Sequence, residues 1–356
     1  MCCSKKDIRL NRKISYSALF LTSFFAIILL GFTFPESRDK DKERAAWPLP
    51  PEETRISYVM TIEKPKDIGI KKSFFKRVVE IFTGKEPEPK IHRPSGVISD
   101  GNGKVYVSDT GLQVIHVFDY KNKLYKQIFK LQNEPPPGRL LSPIGLAVDK
   151  EENLYVSDSI LKKVFVFDKT GKLLYSIGSK GEFGRPTGLA LETSGKRLYI
   201  ADTGNHKIWV YNIIEKSISS FGERGGAHGK FNFPTHMAVD SKGDIYITDA
   251  LNFRVQVFNP EGKFVEAIGK LGNTIGTFSK PKGVGIDSEG NIYVVDNLYD
   301  TVQVFNRKGE LLMNFGTHGG GKEGLWLPNG LYIDKDNYIF IADTYNERVQ
   351  VFRYLR

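Results

Sequence analysis

Short apolar runs separated by turn residues recur along residues 93–352. In the stretch FPTHMAVDSKGDIYITDALNFRVQVF, residues 233–258, three such runs alternate with two polar turns. The first run follows Pro234, the second contains Tyr246, and the third ends at Phe258. Runs of β-branched and aromatic residues between Gly, Asp and Asn turns are typical of antiparallel strands. The pattern therefore predicts a small antiparallel meander.

The same pattern occurs six times, and each second strand ends in an aspartate. The opening prolines are spaced by 49, 43, 48, 47 and 47 residues. In most units a fourth apolar run follows, as in residues 173–178, 264–269 and 311–316. Four antiparallel strands in each of six repeated units predict an all-β fold, a six-bladed β-propeller. The prolines are Pro94, Pro143, Pro186, Pro234, Pro281 and Pro328, and the aspartates are Asp109, Asp158, Asp202, Asp249, Asp296 and Asp343.

The last blade is predicted to take its outer strand from the segment that precedes the first repeat. The sixth unit ends at Phe352 without a fourth run, and an isolated strand pattern, RISYVMTI, occupies residues 55–62. Pairing the two would close the ring and leave no open sheet edge. We therefore expect residues 55–62 to complete the sixth blade, within a propeller that spans residues 55–356.

The region before the propeller has the features of a membrane anchor. Residues 14–34 form a charge-free run long enough to span a bilayer. The basic segment 1–13 places the N-terminus in the cytoplasm, so the propeller is extracytoplasmic, or periplasmic in a Gram-negative bacterium. Residues 35–54, charged and then proline-rich, are predicted to be an extended spacer. The alternative is a cleaved signal peptide and a secreted protein, although no small-x-small cleavage site ends the run.

Charge and cysteine content narrow the function classes. The net charge is +10, of which +6 lies in residues 1–90, so the repeats themselves are only weakly basic. This distribution, together with export, argues against a nucleic-acid partner. Cys2 and Cys3 are the two cysteines, which excludes disulfides and thiolate metal sites from the repeats.

A short amphipathic helix is predicted at residues 70–84, inserted between the closing strand and the first repeat. The first interpretation is a helix packed on the propeller. The second is a basic amphipathic helix that lies on an anionic membrane or receives a partner. Its apolar face comprises Phe74, Phe75, Val78, Val79 and Phe82, and its basic face includes Lys72, Lys76 and Arg77.

The repeats resemble the NHL repeat. The resemblance rests on the pattern P-x-G-(V/L)-x-(V/I)-D followed by G-(N/D)-(I/L)-Y-(V/I)-x-D-T-x-N-x-R-(V/I)-Q-V-F, and it covers residues 93–352. The D-T-x-N portion is complete in blades three and six, and blade three carries Asn205-His206-Lys207. The resemblance, with an anchor and a proline-rich spacer, implies a membrane-tethered scaffold in the cell envelope. Electron-transfer complexes are among the envelope assemblies that it implies as partners.

Residues shared by all six units are best explained by folding. The strand-ending aspartates can accept backbone N–H bonds in the following turn and can pair with a downstream Arg such as Arg254. We interpret these aspartates as structural. Function is expected where the sixfold pattern breaks.

The clearest break is His236. The first strand begins P-x-G in five blades, and blade four has His236 in place of the glycine. An imidazole at the channel mouth would form a small polar binding site with its neighbours. The alternative is a histidine hydrogen-bonded to adjacent backbone. The predicted site contains Ser95, Thr187, Thr235, His236, Lys282 and Asn329.

The sequence favours a binding module over an enzyme. Amidating lyases of similar fold bring several zinc-binding histidines to the channel, and lactonases bring carboxylates to a divalent cation, whereas here one histidine and no carboxylate reach the ring. No metal and no cofactor is predicted, and no catalytic residue is assigned. The expected role is recognition of an envelope protein or a ligand. The alternative is a channel-centred lyase or hydrolase that uses His236.

Overall fold

The chain forms a ring of six antiparallel sheets in a computed structural model. The structure describes residues 45–49, 51–70 and 88–355, except 133, 135 and 137. Each sheet has its first strand at the ring centre and its last at the periphery, in the order a, b, c, d. The all-β, six-bladed fold predicted from the repeats is confirmed.

Two predicted helices fall outside this description. The anchor, residues 14–34, precedes the first described residue, and residues 71–87 contain all eight side chains named for the amphipathic helix. Across residues 45–49, 51–70 and 88–355, no helix has the length and apolar character needed to cross a membrane. In the same residues the helical segments are two short 3-10 turns, Pro65–Ile68 and Ala250–Asn252.

The first five blades each contain four consecutive strands. Blade one has Pro94–Ser99, Lys104–Asp109, Val114–Asp119 and Leu124–Ile128, and blade two has Pro143–Val148, Leu154–Asp158, Lys163–Phe167 and Leu173–Ile177. Blade three has Pro186–Leu191, Arg197–Asp202, Lys207–Asn212 and Ile218–Phe221. Blade four has Pro234–Val239, Ile245–Asp249, Arg254–Phe258 and Phe264–Ile268, and blade five has Pro281–Ile286, Ile292–Asp296, Thr301–Phe305 and Leu311–Phe315.

The sixth blade joins the two ends of the propeller. Strands a to c are Pro328–Ile333, Tyr338–Asp343 and Arg348–Tyr354, and strand d is Ile56–Ile62. Strand d pairs antiparallel with strand c, with Ile56 opposite Tyr354 and Ile62 opposite Val349. The predicted closing strand is therefore present. Two further short strands, Thr317–His318 and Gly324–Leu325, pair in parallel between blades five and six.

Part of the predicted spacer also belongs to the sixth blade. Ala46–Trp47 adds a fifth, two-residue strand outside Ile56–Ile62. The Trp47 ring lies 5.7 Å from the rings of Phe315 and Phe352. An extended spacer through residue 54 is thus wrong for Ala46–Trp47, because the partly buried Trp47 ring packs against the core between blades five and six.

The hydrophobic core lies between neighbouring blades. One cluster joins blades five and six through Tyr293, Val304, Ile341 and Phe352, and similar clusters join the other consecutive pairs from one to five. Strand b contributes a fully buried tyrosine in four blades. Because neighbouring blades pack face to face through these clusters, the sheets hold the inner strands around the channel.

A side-chain hydrogen bond also ties each blade to the next. Where the residue before the strand-b aspartate is Ser or Thr, its hydroxyl donates to the carbonyl of the second residue of the next strand a. Where it is Ala or Val, the residue after the aspartate donates to the carbonyl of the next opening proline. The first kind joins Ser108 to Ile144, Ser157 to Thr187 and Thr248 to Lys282, and the second joins Thr203 to Pro234, Asn297 to Pro328 and Thr344 to Pro94.

Candidate functional site

One end of the central channel shares a face with the turns between strands b and c. In blade four, for example, Pro234 at the start of strand a lies opposite Asp249 at the end of strand b. The same register recurs in the other blades. We call this side of the ring the mouth face. The turns between strands a and b, and between strands c and d, lie on the opposite face.

The glycines at the mouth are required by the approach of neighbouring backbone. A Cβ added at Gly188 would lie 2.4 Å from the Thr235 carbonyl oxygen, and one at Gly330 would lie 2.5 Å from the Ser95 carbonyl oxygen. Such distances leave no room for a side chain. The side chain of His236 is therefore a true departure from the other five blades.

All six side chains of the predicted site line one cavity at the mouth. Its volume is about 310 Å³, and its wall includes Ser95, Thr187, Thr235, His236, Lys282 and Asn329. The propeller register thus brings together residues up to 234 positions apart, since the Asn329 amide donates to the Ser95 hydroxyl at 3.1 Å. The polar groups of the cavity that lack a hydrogen-bond partner indicate what it can bind.

His236 has no hydrogen-bond partner in the described protein. Both ring nitrogens are enclosed, and neither one contacts a donor or acceptor of the described residues. The alternative of a backbone-bonded histidine is therefore wrong. Burial, assisted by the charge of Lys282, lowers the pKa of His236 to about 3. The imidazole is neutral at ordinary pH, with one N–H to donate and one nitrogen to accept.

Lys282 is one of the cations that line the cavity. Burial is the main cause that lowers its pKa to about 8, and the charges of Lys280 and Arg185 lower it further. No carboxylate of the described residues lines the cavity, and Lys282 forms no ion pair with any of them. The mouth is therefore a basic pit without an internal counter-ion.

Sequence reasoning missed two residues of this pit. Arg185 and Lys280 line the cavity with Lys282 but lie one position before an opening proline, outside the P-x-G motif. A signal was available, because this position is basic in blades one, three and five, as Arg93, Arg185 and Lys280.

The remaining polar side chains divide into satisfied and unsatisfied groups. The Thr187 hydroxyl lies 2.8 Å from the Thr203 hydroxyl and donates to the Thr235 carbonyl at 3.0 Å. The Thr235 hydroxyl and the Asn329 carbonyl oxygen are enclosed without a partner among the described residues. Enclosed polar groups without partners are rare in folded proteins and point to water or a ligand.

The strand-ending aspartates have the structural role expected of them. Asp249 accepts bonds from the backbone N–H of Asn232 at 2.6 Å and from Arg254 Nε at 2.9 Å. Asp343 is held in the same way by Arg348 Nε at 2.7 Å. These carboxylates are fully buried and fix the connections between blades, so they do not neutralise the cavity wall.

Comparison with known families identifies the repeats. Residues 138–220 and 236–299 match a family model described as a 6-bladed beta-propeller. Residues 325–352 match the model of the NHL repeat. The chain is a six-bladed β-propeller that contains an NHL repeat, and we refer to it as the NHL propeller. No curated protein matches this NHL propeller significantly.

Solved structures share the fold of the NHL propeller at low identity. A Bacteroides thetaiotaomicron protein of unknown function has a TM-score of 0.61 at 15% identity, over 76% of this chain and 71% of that one. An auxiliary nutrient binding protein from the same organism has 0.59 at 11%, over 75% and 70%. Virginiamycin B lyase from Staphylococcus aureus has 0.54 at 13%, over 74% and 95%. At these identities the likeness establishes the fold alone.

Exposed apolar side chains surround the mouth of the NHL propeller. They lie on the turns between strands b and c and just before the last opening proline, and Ile160 and Leu298 are 61% and 55% exposed. Trp326 and Tyr345 pack together, with ring centroids 5.6 Å apart. We call this set the apolar collar, comprising Leu112, Ile160, Leu251, Leu298, Tyr299, Trp326 and Tyr345.

The opposite end of the channel has a different character. A cavity of about 390 Å³ is lined there by apolar side chains of strand a, and its rim includes Asp100, Asp149 and Glu192. All three acids are engaged by their own turns, since Asp100 and Asp149 accept from the backbone N–H groups of Lys104 and Asn153 and Glu192 pairs with Arg197. Within the described residues, no group of three His, Cys, Asp or Glu side chains is arranged to hold a metal ion.

Proposed function

We propose that this NHL propeller is a membrane-tethered, extracytoplasmic binding module of the cell envelope that recognises a partner protein or a ligand through its mouth face. The observation that carries the proposal is the apolar collar around a polar cavity. The charge-free run of residues 14–34 supplies the tether.

The composition of the collar suits protein recognition. Exposed leucines scattered over a surface are ordinary, but an apolar set gathered on one face of a monomer marks an interaction site. Aromatic side chains such as Tyr299, Trp326 and Tyr345 are enriched at the centres of protein interfaces. Loops on a rigid ring are also where binding specificity is commonly built.

The resemblance to anchored envelope propellers supports a partner in an envelope complex, including one that transfers electrons. A protein of the same fold is described as an auxiliary nutrient binding protein, which is consistent with recognition by such a ring. Both observations are similarities to other proteins, and an experiment on this protein can identify the partner.

The alternative is a channel-centred lyase or hydrolase that uses His236, and a lyase of this fold is among the solved structures. A general base works best with a pKa near the operating pH. The pKa of His236, lowered to about 3 by burial, makes its imidazole a weak base at pH 7. We therefore favour binding over catalysis by this residue.

Crosslinking in native membranes tests the proposal. The wild-type protein is expected in the membrane fraction, joined to a discrete partner. The double variant Ile160→Asp, Leu298→Asp places two charges in the collar and should abolish that crosslink. Leu124→Asp is the matched control, because Leu124 is 63% exposed at the start of the outer strand of blade one, on the opposite face.

Two results would contradict this role. One is recovery of the protein alone from native membranes. The other is an equal crosslink yield from the collar variant and from Leu124→Asp, since the partner would then bind elsewhere on the ring.

A further inference from the structure

We infer that the cavity at the channel mouth is a binding site for a small organic anion, a ligand that carries a carboxylate or phosphate group and at least one hydroxyl. The inference rests on the proposed binding function and names the class of ligand. Lys282 would hold the anionic group, with Arg185 and Lys280 at the rim and Thr235, His236 and Asn329 at the wall.

The charge of the cavity is the first argument. Three basic side chains line it, and its described lining contains no Asp or Glu. Like charges at close range repel one another, and here the charges of Lys280 and Arg185 each lower the pKa of Lys282. An anion in the cavity would reverse this effect and attract all three cations together.

The second argument is that Lys282 has no ion-pair partner among the described residues. Lys282 is half-buried, and the desolvation of an ammonium is uncompensated unless an anion lies close to it. Elsewhere in the ring, buried cations are paired in this way, as Arg254 is with Asp249 and Arg348 is with Asp343. Lys282 lacks such a partner among the described residues, so a bound anion is the missing counter-ion.

The third argument is the set of unpartnered polar atoms. The Thr235 side chain is 9% exposed, and its hydroxyl and both nitrogens of His236 are enclosed without a hydrogen bond to described residues. The hydroxyl and the neutral imidazole can each donate to an anionic oxygen. The Asn329 carbonyl oxygen needs a donor instead, which a hydroxyl on the ligand would supply.

The size of the cavity limits the ligand. A volume of about 310 Å³ is at the small end of ordinary ligand pockets. A hydroxycarboxylate or a small phosphate ester fits this range. Because carboxylate and phosphate share the chemistry of the site, the experiment must separate them.

Calorimetric titration of the full chain in detergent micelles tests the inference. The probes are malate, glycerol phosphate and inorganic phosphate, with glycerol as the neutral control. Saturable one-to-one binding is expected for at least one of the three anions and not for glycerol. Preference for malate assigns a carboxylate ligand, and preference for glycerol phosphate assigns a phosphate ester.

Variants connect the binding to the cavity. Lys282→Met should weaken binding of the preferred anion by at least about tenfold, and Thr235→Val should weaken it by a smaller factor. Lys172→Met is the matched control, because Lys172 lies on the opposite face in the turn between strands c and d of blade two, and its affinity should equal that of the wild type. Melting curves check that each variant is folded.

The inference is overturned if none of the anions binds saturably, or if Lys282→Met binds as tightly as Lys172→Met. Its failure is distinguishable from that of the proposed function. The collar variant Ile160→Asp, Leu298→Asp changes two side chains outside the cavity wall and should lose the partner and keep the anion, whereas Lys282→Met should lose the anion whatever happens to the crosslink.

Discussion

At the scale of single residues, the environment of the cavity decides what its two titratable groups can do. His236 and Lys282 both have pKa values lowered chiefly by burial, to about 3 and about 8. The histidine is therefore neutral at pH 7, and the lysine stays charged at the expense of stability. A fold that retains a half-buried lysine in a cavity, without an ion-pair partner among the described residues, is typical of a binding site rather than of a region optimised for stability.

This destabilisation gives a pH-dependent prediction for Lys282. Its pKa of about 8 in the folded protein compares with 10.5 in an unfolded chain, so the unfolded state binds the proton more tightly. Below pH 8 the charged ammonium destabilises the fold by on the order of 2 to 3 kcal/mol, and the loss is relieved as pH rises from 8 to 10.5. Lys282→Met should raise the free energy of unfolding by this order at pH 7.

Urea denaturation at several pH values measures the effect. The difference between Lys282→Met and the wild type should shrink steadily between pH 8 and pH 10, while Lys172→Met should show no such trend. If the free energy of unfolding of Lys282→Met exceeds that of the wild type by the same amount at every pH, packing of the methionine, and not removal of the charge, stabilises the variant.

The sequence could predict the six side chains of the cavity because they break or follow a repeat of known register. His236 stands where five blades have glycine, and Lys282 and Asn329 occupy the position just before that glycine in blades five and six. The basic pair Arg185 and Lys280 could not be assigned in this way, since they lie before the proline and reach the cavity with long side chains. The lack of a partner for His236 is also a property of three-dimensional packing, which residue spacing does not reveal.

At the scale of strands, the hydrogen bonds between blades explain an irregularity of the repeat. Ser or Thr before the strand-b aspartate and Thr or Asn after it are alternative donors for the same connection between blades. Blade one has both, Ser108 and Thr110, and uses Ser108 for the next blade. In blades two, four and five the threonine after the aspartate is replaced, but another side chain supplies the hydrogen bond to the next blade.

This interpretation predicts different consequences for two equivalent threonines. Thr344 donates to the Pro94 carbonyl of the next blade at 2.7 Å, whereas Thr110 donates to the Arg93 carbonyl of its own blade at 3.2 Å. Thr344→Val leaves a carbonyl between blades without its donor and should lower the free energy of unfolding by about 1 to 2 kcal/mol. Thr110→Val should lower it by a few tenths, because the contact between blades one and two remains.

Chemical denaturation of the two variants under identical conditions tests this difference. Equal losses for Thr344→Val and Thr110→Val would show that the position after the aspartate acts within its own turn, and that the connection between blades contributes nothing measurable.

At the scale of the whole molecule, the ring is closed by strand Ile56–Ile62, which pairs with a strand almost 300 residues later in the sequence, Arg348–Tyr354. Residues 55–62 could be predicted to close it because a missing outer strand and an unassigned strand pattern matched each other. The added strand Ala46–Trp47 could not, since two residues carry no periodicity. What fixes Trp47 is its contact with Phe315 and Phe352, which joins blades five and six.

Closure makes the stability of every blade depend on this segment. Ile56 and Ile62 are fully buried, and removing the strand would expose the edge of strand c in blade six along its whole length. Deletion of residues 55–62 should therefore lower the melting temperature of the entire propeller in a single transition, because blades one and six lose their mutual support. Deletion of residues 36–43, equally long and preceding the first described strand, is the control and should leave the melting profile unchanged. If the two deletions melt alike, the ring is held closed by contacts between the inner strands, such as that of Thr344 with Pro94, and the outer strand only covers an edge that is already stable.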